Sequence, residues 1–226
     1  MKIAIAGDGN TDREVFKNFV QKFLKSEIHE SKITFLYRCP NGQQVFDILK
    51  KNKEPDFLKN EITKKFCNAI HAGYKEWDQK TEEEITWNDI FIYHLDTERV
   101  IKINREEDIV TGWAREILEA VWRGVDLFYF RWGGYYSSLY YLPKVFPVVC
   151  FPSTEVIIGA CKGIEIRDIK AHELKNKLYG TSDLRNISKK EFYNKLESIF
   201  PKDKEKLLKL LRKVPEIYRL LFLITF

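Results

Sequence analysis

Cysteine is scarce in this chain and never paired. The four thiols, Cys39, Cys67, Cys150 and Cys161, lie far apart and form no C-x-x-C. That argues against a thiolate zinc site and against a disulfide framework. Long hydrophobic runs are missing too: none approaches the ~20 residues that span a bilayer, so no membrane partner is expected. The opening Met1–Ala6 is too short for a signal-peptide core and runs straight into Gly7-Asp8-Gly9, so a soluble cytoplasmic protein is expected. There is no G-x-x-x-x-G-K-[ST] phosphate loop, and Ser137-Ser138 lacks the sharp G-x-S-x-G elbow of a serine hydrolase. Gly7-x-Gly9 lacks the third glycine of a dinucleotide fingerprint; Asp12 stands there and would repel pyrophosphate. His29, His71 and His172 are scattered and show no ligand spacing. His94 lies inside an apolar strand, where it reads first as a satisfied core histidine.

What is present is enough for a sizeable core. The 226 residues are 44% hydrophobic and 14% aromatic, which excludes wholesale disorder. The net charge of +5 is unevenly spread. From Lys162 onward 16 basic residues face 9 acidic ones, whereas the rest of the chain has 22 against 24. A basic tail suits a polyanion through counterion release, and equally suits a solvated lysine-rich helical surface.

Hydrophobic periodicity organises the chain as α/β. Lys2–Ala6 reads as a strand, followed by a Gly-containing turn. A helix starts at Thr11, whose spacing to Glu14 is that of a capping box, with Val15, Phe16, Phe19, Val20 and Phe23 on one face. Ile33–Tyr37 is a second strand, completing a βαβ unit and implying a parallel sheet. Helical patterns follow over Gln43–Lys51 and Phe57–Trp77, with Gly73 as a break. Ile90–Leu95 is an uninterrupted apolar run, as for a strand covered on both faces. A helix is expected from about Glu106 to a stop at Gly124, then strands at Leu127–Phe130 and Val148–Phe151. A short helix from Ser153 to Gly163 precedes further basic helices. No internal repeat and no low-complexity segment interrupts this. The expected division is an α/β domain over 1–163 with a helical insertion around 40–88, and a basic helical part over 164–226 packed on it.

Two acidic clusters follow hydrophobic strands, where parallel sheets place chemistry. Asp8 and Asp12 flank the first turn; Asp96 and Glu98 follow the third strand. If those strands are neighbours, four carboxylates converge on one rim, and a divalent cation makes their repulsion tolerable. Hard oxygen ligands without nearby His or Cys favour Mg²⁺ or Mn²⁺, whose natural chemistry is metal-assisted attack on a phosphodiester. Each acid also has a plainer use, Asp12 in complementing the helix dipole and the others in capping turns.

The segment Ile3-Ala4-Ile5-Ala6-Gly7-Asp8-Gly9-Asn10-Thr11-Asp12 resembles the first motif of Toprim domains, in the form found in the overcoming-lysogenization-defect nucleases: strand, Glu-Gly-x-Thr-acid, helix. Ile92-Tyr93-His94-Leu95-Asp96-Thr97-Glu98 resembles the second, strand then Asp-x-Asp. Pro152-Ser153-Thr154-Glu155 is similar to the later Pro-x-x-Glu of small stand-alone Toprim-like proteins. The resemblance spans about residues 1–130 in order and polarity and rests on some fifteen positions. It implies a Toprim-like, Rossmann-like, mostly parallel sheet with helices on both faces, plus a helical C-terminal extension. It implies metal-dependent cutting or rejoining of nucleic acid, in genome defence or repair. Asp8 takes the place of the catalytic Glu, Asp12 that of the second acid, Asp96 and Glu98 the metal positions, and Glu155 a further ligand. Asp8 and Glu98 each depart from the family residue by one methylene, so the alternative is a Toprim-like module that binds nucleic acid or a partner protein without turnover. The aromatic segment Phe128–Tyr141, with Arg131 and no acid, suits stacking on unpaired bases or a subunit interface. Arg131 and Lys162 are the expected nucleic-acid contacts; a homo-oligomer or an ATPase partner is left open. The apolar end Ile217–Phe226 must dock on something.

Overall fold

Strand β1 (Ile3–Ala6) holds four residues without exposure, because it is paired on both edges and covered on both faces. The computed structural model describes residues 1–7, 15–17, 32–36, 55–97, 103–104, 109–110, 113–133, 142–181, 203–214 and 217. Strand β1 pairs in parallel with β2 (Ile33–Leu36) on one side and β3 (Ile90–Asp96) on the other; β3 in turn pairs in parallel with the last strand of the sheet, Lys144–Cys150. Two short antiparallel strands, β4 (Ile103–Asn104) and β5 (Ile109–Val110), form a separate ladder, so that last strand is β6. The order β2-β1-β3-β6 reverses direction at β1, so the crevice outside the carboxyl ends of β1 and β3 is the switch point of the sheet.

Period-two alternation deals the sheet residues onto two cores. Ala4, Ala6, Phe91, Tyr93, Leu95, Val145 and Val149 face the long helices α1 (Pro55–Lys80) and α2 (Trp113–Trp132). Ile3, Ile5, Ile90, Ile92, Phe146, Val148 and Cys150 face the other way. There they meet Val15 and Phe16, α3 (Glu155–Cys161), α4 (Ala171–Tyr179) and the chain beyond α5 (Lys204–Leu211). Leu174, Leu178, Val214 and Ile217 from these later elements are buried in that core. Among the described residues no helix is long and apolar enough to cross a membrane.

Four expectations are corrected. Gly73 does not break α1, and Gly124 does not end α2; both helices run through. Gly124 instead allows close packing: a Cβ there would lie 3.0 Å from the Thr63 carbonyl oxygen and 3.1 Å from Phe66 Cβ. Leu127–Phe130 is the last part of α2, not a strand, because Val121, Val125 and Phe128 continue one buried helical face while Phe130 points out. The helix expected from Glu106 starts at Trp113, Ile109–Val110 being the strand β5. The helix expected from Thr11 is described at Val15–Lys17; the rest of it, the helix over Gln43–Lys51, most of the Tyr-rich segment and the apolar end lie outside the described residues.

Candidate functional site

His94 and Asp96 share a strand face because they are two residues apart in β3, the face that carries Ile90 and Ile92. Register then sets Cys150, the last residue of β6, directly beside Asp96. After Cys150 the chain passes the cis Phe151–Pro152 bond and Ser153-Thr154 before entering α3 at Glu155. Ser153, Thr154 and Glu155 are all buried, at 0%, 1% and 4% exposure. Six chemically active side chains, His94, Asp96, Cys150, Ser153, Thr154 and Glu155, thus gather near the carboxyl rim of two neighbouring parallel strands.

Asp96 is the hub. Its Oδ1 accepts from the Thr154 backbone N–H at 2.9 Å and from the Thr154 hydroxyl at 2.9 Å, and lies 2.6 Å from His94 Nε2. His94 Nε2 is also 2.5 Å from Thr154 Oγ1. Asp96 thereby caps α3 from another strand, since Thr154 makes no cap of its own. Nearby, the Thr97 hydroxyl and backbone N–H both donate to the Cys150 carbonyl at 3.1 Å, strapping the exits of β3 and β6 together. Among the described residues the Asp96 hydrogen bonds all fall on Oδ1; none falls on Oδ2, and the side chain keeps 12% of its surface.

Burial raises the Asp96 pKa above the ordinary carboxylate range; His94 and the Thr154 hydroxyl pull it down, and the Glu155 charge pushes it further up. Burial, rather than repulsion within a cluster of like charges, is the main cause of that rise. Asp96, His94 and Thr154 do not make a hydrolytic triad with one another. That arrangement needs acid and nucleophile on opposite ring nitrogens, and Asp96 and Thr154 both approach Nε2.

His94, Asp96 and Cys150 bring their donor atoms within 4.8 Å of one another, close enough to share a metal ion. This overturns the premise that neither His nor Cys stands near the acids. The hydrogen-bonded atoms are drawn in to 2.6 Å, whereas neighbouring ligands on an octahedral ion with ~2.1 Å bonds lie about 3 Å apart. An ion held here would stand among these donors in place of the His94–Asp96 hydrogen bond. The Asp96 carboxylate fits Mg²⁺ or Mn²⁺, while His94 and Cys150 extend the range to borderline ions such as Zn²⁺.

The expected site residues are only partly gathered. Asp96 and Glu155 meet at the rim. Asp8, Asp12 and Glu98 lie outside the described residues. The strands that carry the two clusters are parallel neighbours, as the four-carboxylate reading required, and a Cβ on Gly7 would stand 3.0 Å from His94 Nδ1. Arg131 sits at the end of α2, close enough to Cys67 for its charge to act on that thiol, in the helical layer on the opposite face of the sheet. Lys162 caps the far end of α3, about 10 Å along the helix from the rim. His94, Cys150, Ser153 and Thr154 are the residues that sequence reasoning missed. For His94 the signal existed, since a residue two before Asp96 in a strand shares its face; for Cys150 it needed the register. Comparison with family models, with curated proteins and with solved structures finds no match to this chain, so its functional reading rests on these residues and their geometry.

Proposed function

We propose that the protein is a divalent-cation-dependent phosphodiester hydrolase acting on nucleic acid, with Asp96 as the anchoring ligand and Glu155 beside it. The observation that carries this reading is the asymmetry of Asp96. One oxygen is locked by His94 and Thr154, and the other is left without a hydrogen bond among the described residues, at the carboxyl rim next to the switch point. The bound cation would supply charge neutralisation at a phosphate and a water of lowered pKa. Asp96, whose burial favours the protonated form, gives up that proton when the cation binds, so uptake strengthens with pH. His94 holds the carboxylate in place and offers a second donor. Asp8, Asp12 and Glu98 belong to the same proposal through the Toprim resemblance.

Titration calorimetry with Mn²⁺ and cleavage of plasmid and single-stranded substrates test it together. Asp96→Ala is expected to weaken Mn²⁺ binding at least 10-fold and to abolish cleavage. Full activity in Asp96→Ala, or no cleavage by the wild type with Mg²⁺, Mn²⁺ or Zn²⁺ on DNA and RNA, ends the reading. A second reading, a module that binds nucleic acid without cutting it, draws on the clamp around His94: a fully buried histidine held by Asp96 and Thr154 is also what a structural strut looks like. Salt-dependent binding with no metal-dependent cleavage selects it.

A further inference from the structure

The donors at the rim differ in kind from the carboxylates of the Toprim resemblance. Those motifs offer a cation oxygen alone, whereas β3 and β6 bring a ring nitrogen, a carboxylate oxygen and a thiol sulfur within 4.8 Å of one another. Strand geometry builds this set. A period of two puts His94 and Asp96 on one face of β3, and the parallel register sets Cys150 level with Asp96. The Thr97 hydroxyl and backbone N–H hold the Cys150 carbonyl, so the two strand ends are fixed against each other and no ligand hangs on a loop. Thr154 adds an outer support: its N–H and hydroxyl each donate to Asp96 Oδ1 at 2.9 Å and orient the carboxylate.

Sulfur decides which ion such a set takes. Mg²⁺ needs near-octahedral oxygen ligands at about 2.1 Å and gives up its waters reluctantly. His94 and Cys150 are fully buried and Asp96 is 9% exposed, so the rim has little room for a retained water shell. Zn²⁺ and Co²⁺ take nitrogen, oxygen and sulfur together, in four-coordinate sites where three protein ligands leave one position for water or substrate. With bonds of about 2.0–2.3 Å, neighbouring ligands on a tetrahedral ion stand roughly 3.3–3.6 Å apart. That spacing lies inside the 4.8 Å reach of the three donor atoms.

We propose that His94, Asp96 and Cys150 together hold a sulfur-accepting dication of the Zn²⁺ and Co²⁺ class, in a four-coordinate site with one position open, and that Mg²⁺ does not displace it. Cys150 binds through its thiolate, its proton passing to solvent. This rests on the cation site proposed above and names its ion class and its third ligand.

Co²⁺ is the probe, because a thiolate ligand gives an intense near-ultraviolet sulfur-to-cobalt band and four-coordination gives visible bands far stronger than those of the hexaaqua ion. The metal-free wild type titrated with Co²⁺ is expected to show both. A large excess of Mg²⁺ leaves them, and equimolar Zn²⁺ bleaches them. Cys150→Ser is expected to lose the sulfur band and to bind Zn²⁺ at least about 10-fold more weakly, while Cys161→Ser keeps both properties. Circular dichroism of metal-free Cys150→Ser that matches the wild type assigns the loss to the ligand; where that variant fails to fold, the wild-type titration decides alone. No sulfur band in the folded wild type, a band that survives Cys150→Ser, or a spectrum bleached by Mg²⁺ overturns the proposal. A sulfur band without nucleic-acid cleavage under any metal leaves the ligand set standing and removes the hydrolase. Mg²⁺-dependent cleavage by a wild type that shows no sulfur band does the reverse.

Discussion

Asp96 carries opposite demands at the scale of a single residue. Its burial raises the folded-state pKa above the unfolded value, so the native state holds more protons than the unfolded chain in that window. Its contribution to stability is therefore complete below the unfolded pKa near 3.9 and is lost as pH rises through the folded value. Asp96→Asn keeps acceptors for Thr154 and has no charge to bury. In metal-free buffer its melting temperature is expected to exceed that of the wild type at pH 7, with the gap closing toward pH 4. A lower Tm for the variant at pH 7 would contradict this sign. Tyr129 is a second strained economy. Its hydroxyl donates to the Pro143 carbonyl at 2.8 Å and accepts the Val145 N–H at 2.7 Å, tying α2 to the first turns of β6, and burial pushes its pKa up to about 12. Tyr129→Phe strands two backbone groups and is expected to cost about 1–3 kcal/mol in urea unfolding. Absorbance titration should show the same number of tyrosines ionising below pH 11 in the wild type and in Tyr129→Phe, because Tyr129 itself ionises only near 12.

Elements pack here through small residues placed where helices cross. Gly124 lets α2 lie against the Thr63 carbonyl of α1, and the Thr63 hydroxyl donates to the Ala120 carbonyl at 3.0 Å. Lys59 adds an ion pair to Glu116 at the same crossing. Alanine at 124 would gain roughly 1 kcal/mol of helix propensity. Against that stands a clash with backbone, which cannot rotate away, so Gly124→Ala is expected to be destabilising by about 1–2 kcal/mol net. A stabilised variant would show that the helices can part freely. The same crowding explains why glycine at 124 reads as a breaker in a linear pattern and acts as a contact in three dimensions.

At the scale of the whole molecule the sheet is the spine. All seven β3 residues are buried, and β3 shares ladders with β1 and β6 while its two faces feed two separate cores. Burying one such aliphatic or aromatic side chain is worth roughly 1.5–3 kcal/mol, so no local opening frees β3. Hydrogen exchange is expected to find the Phe91–Leu95 amides the most protected in the chain, exchanging only with global unfolding. Earlier exchange there than in α5 would mean that the two cores open separately.

Hydrophobic periodicity alone determined the α/β class, the strands β1, β2 and β3, and the place of Asp96, because period-two and uninterrupted apolar runs report burial directly, whereas Glu155 was picked out through the Toprim resemblance. It failed at Leu127–Phe130, where a short apolar run suits helix and strand alike and only packing against α1 settles which. Strand order, register and the turn into α3 are long-range facts. They alone brought Cys150 beside Asp96, turned Thr154 and His94 onto the same carboxylate oxygen, and set Arg131 on the opposite face. A linear pattern records which face a residue occupies and is silent on which strand comes to lie next to it.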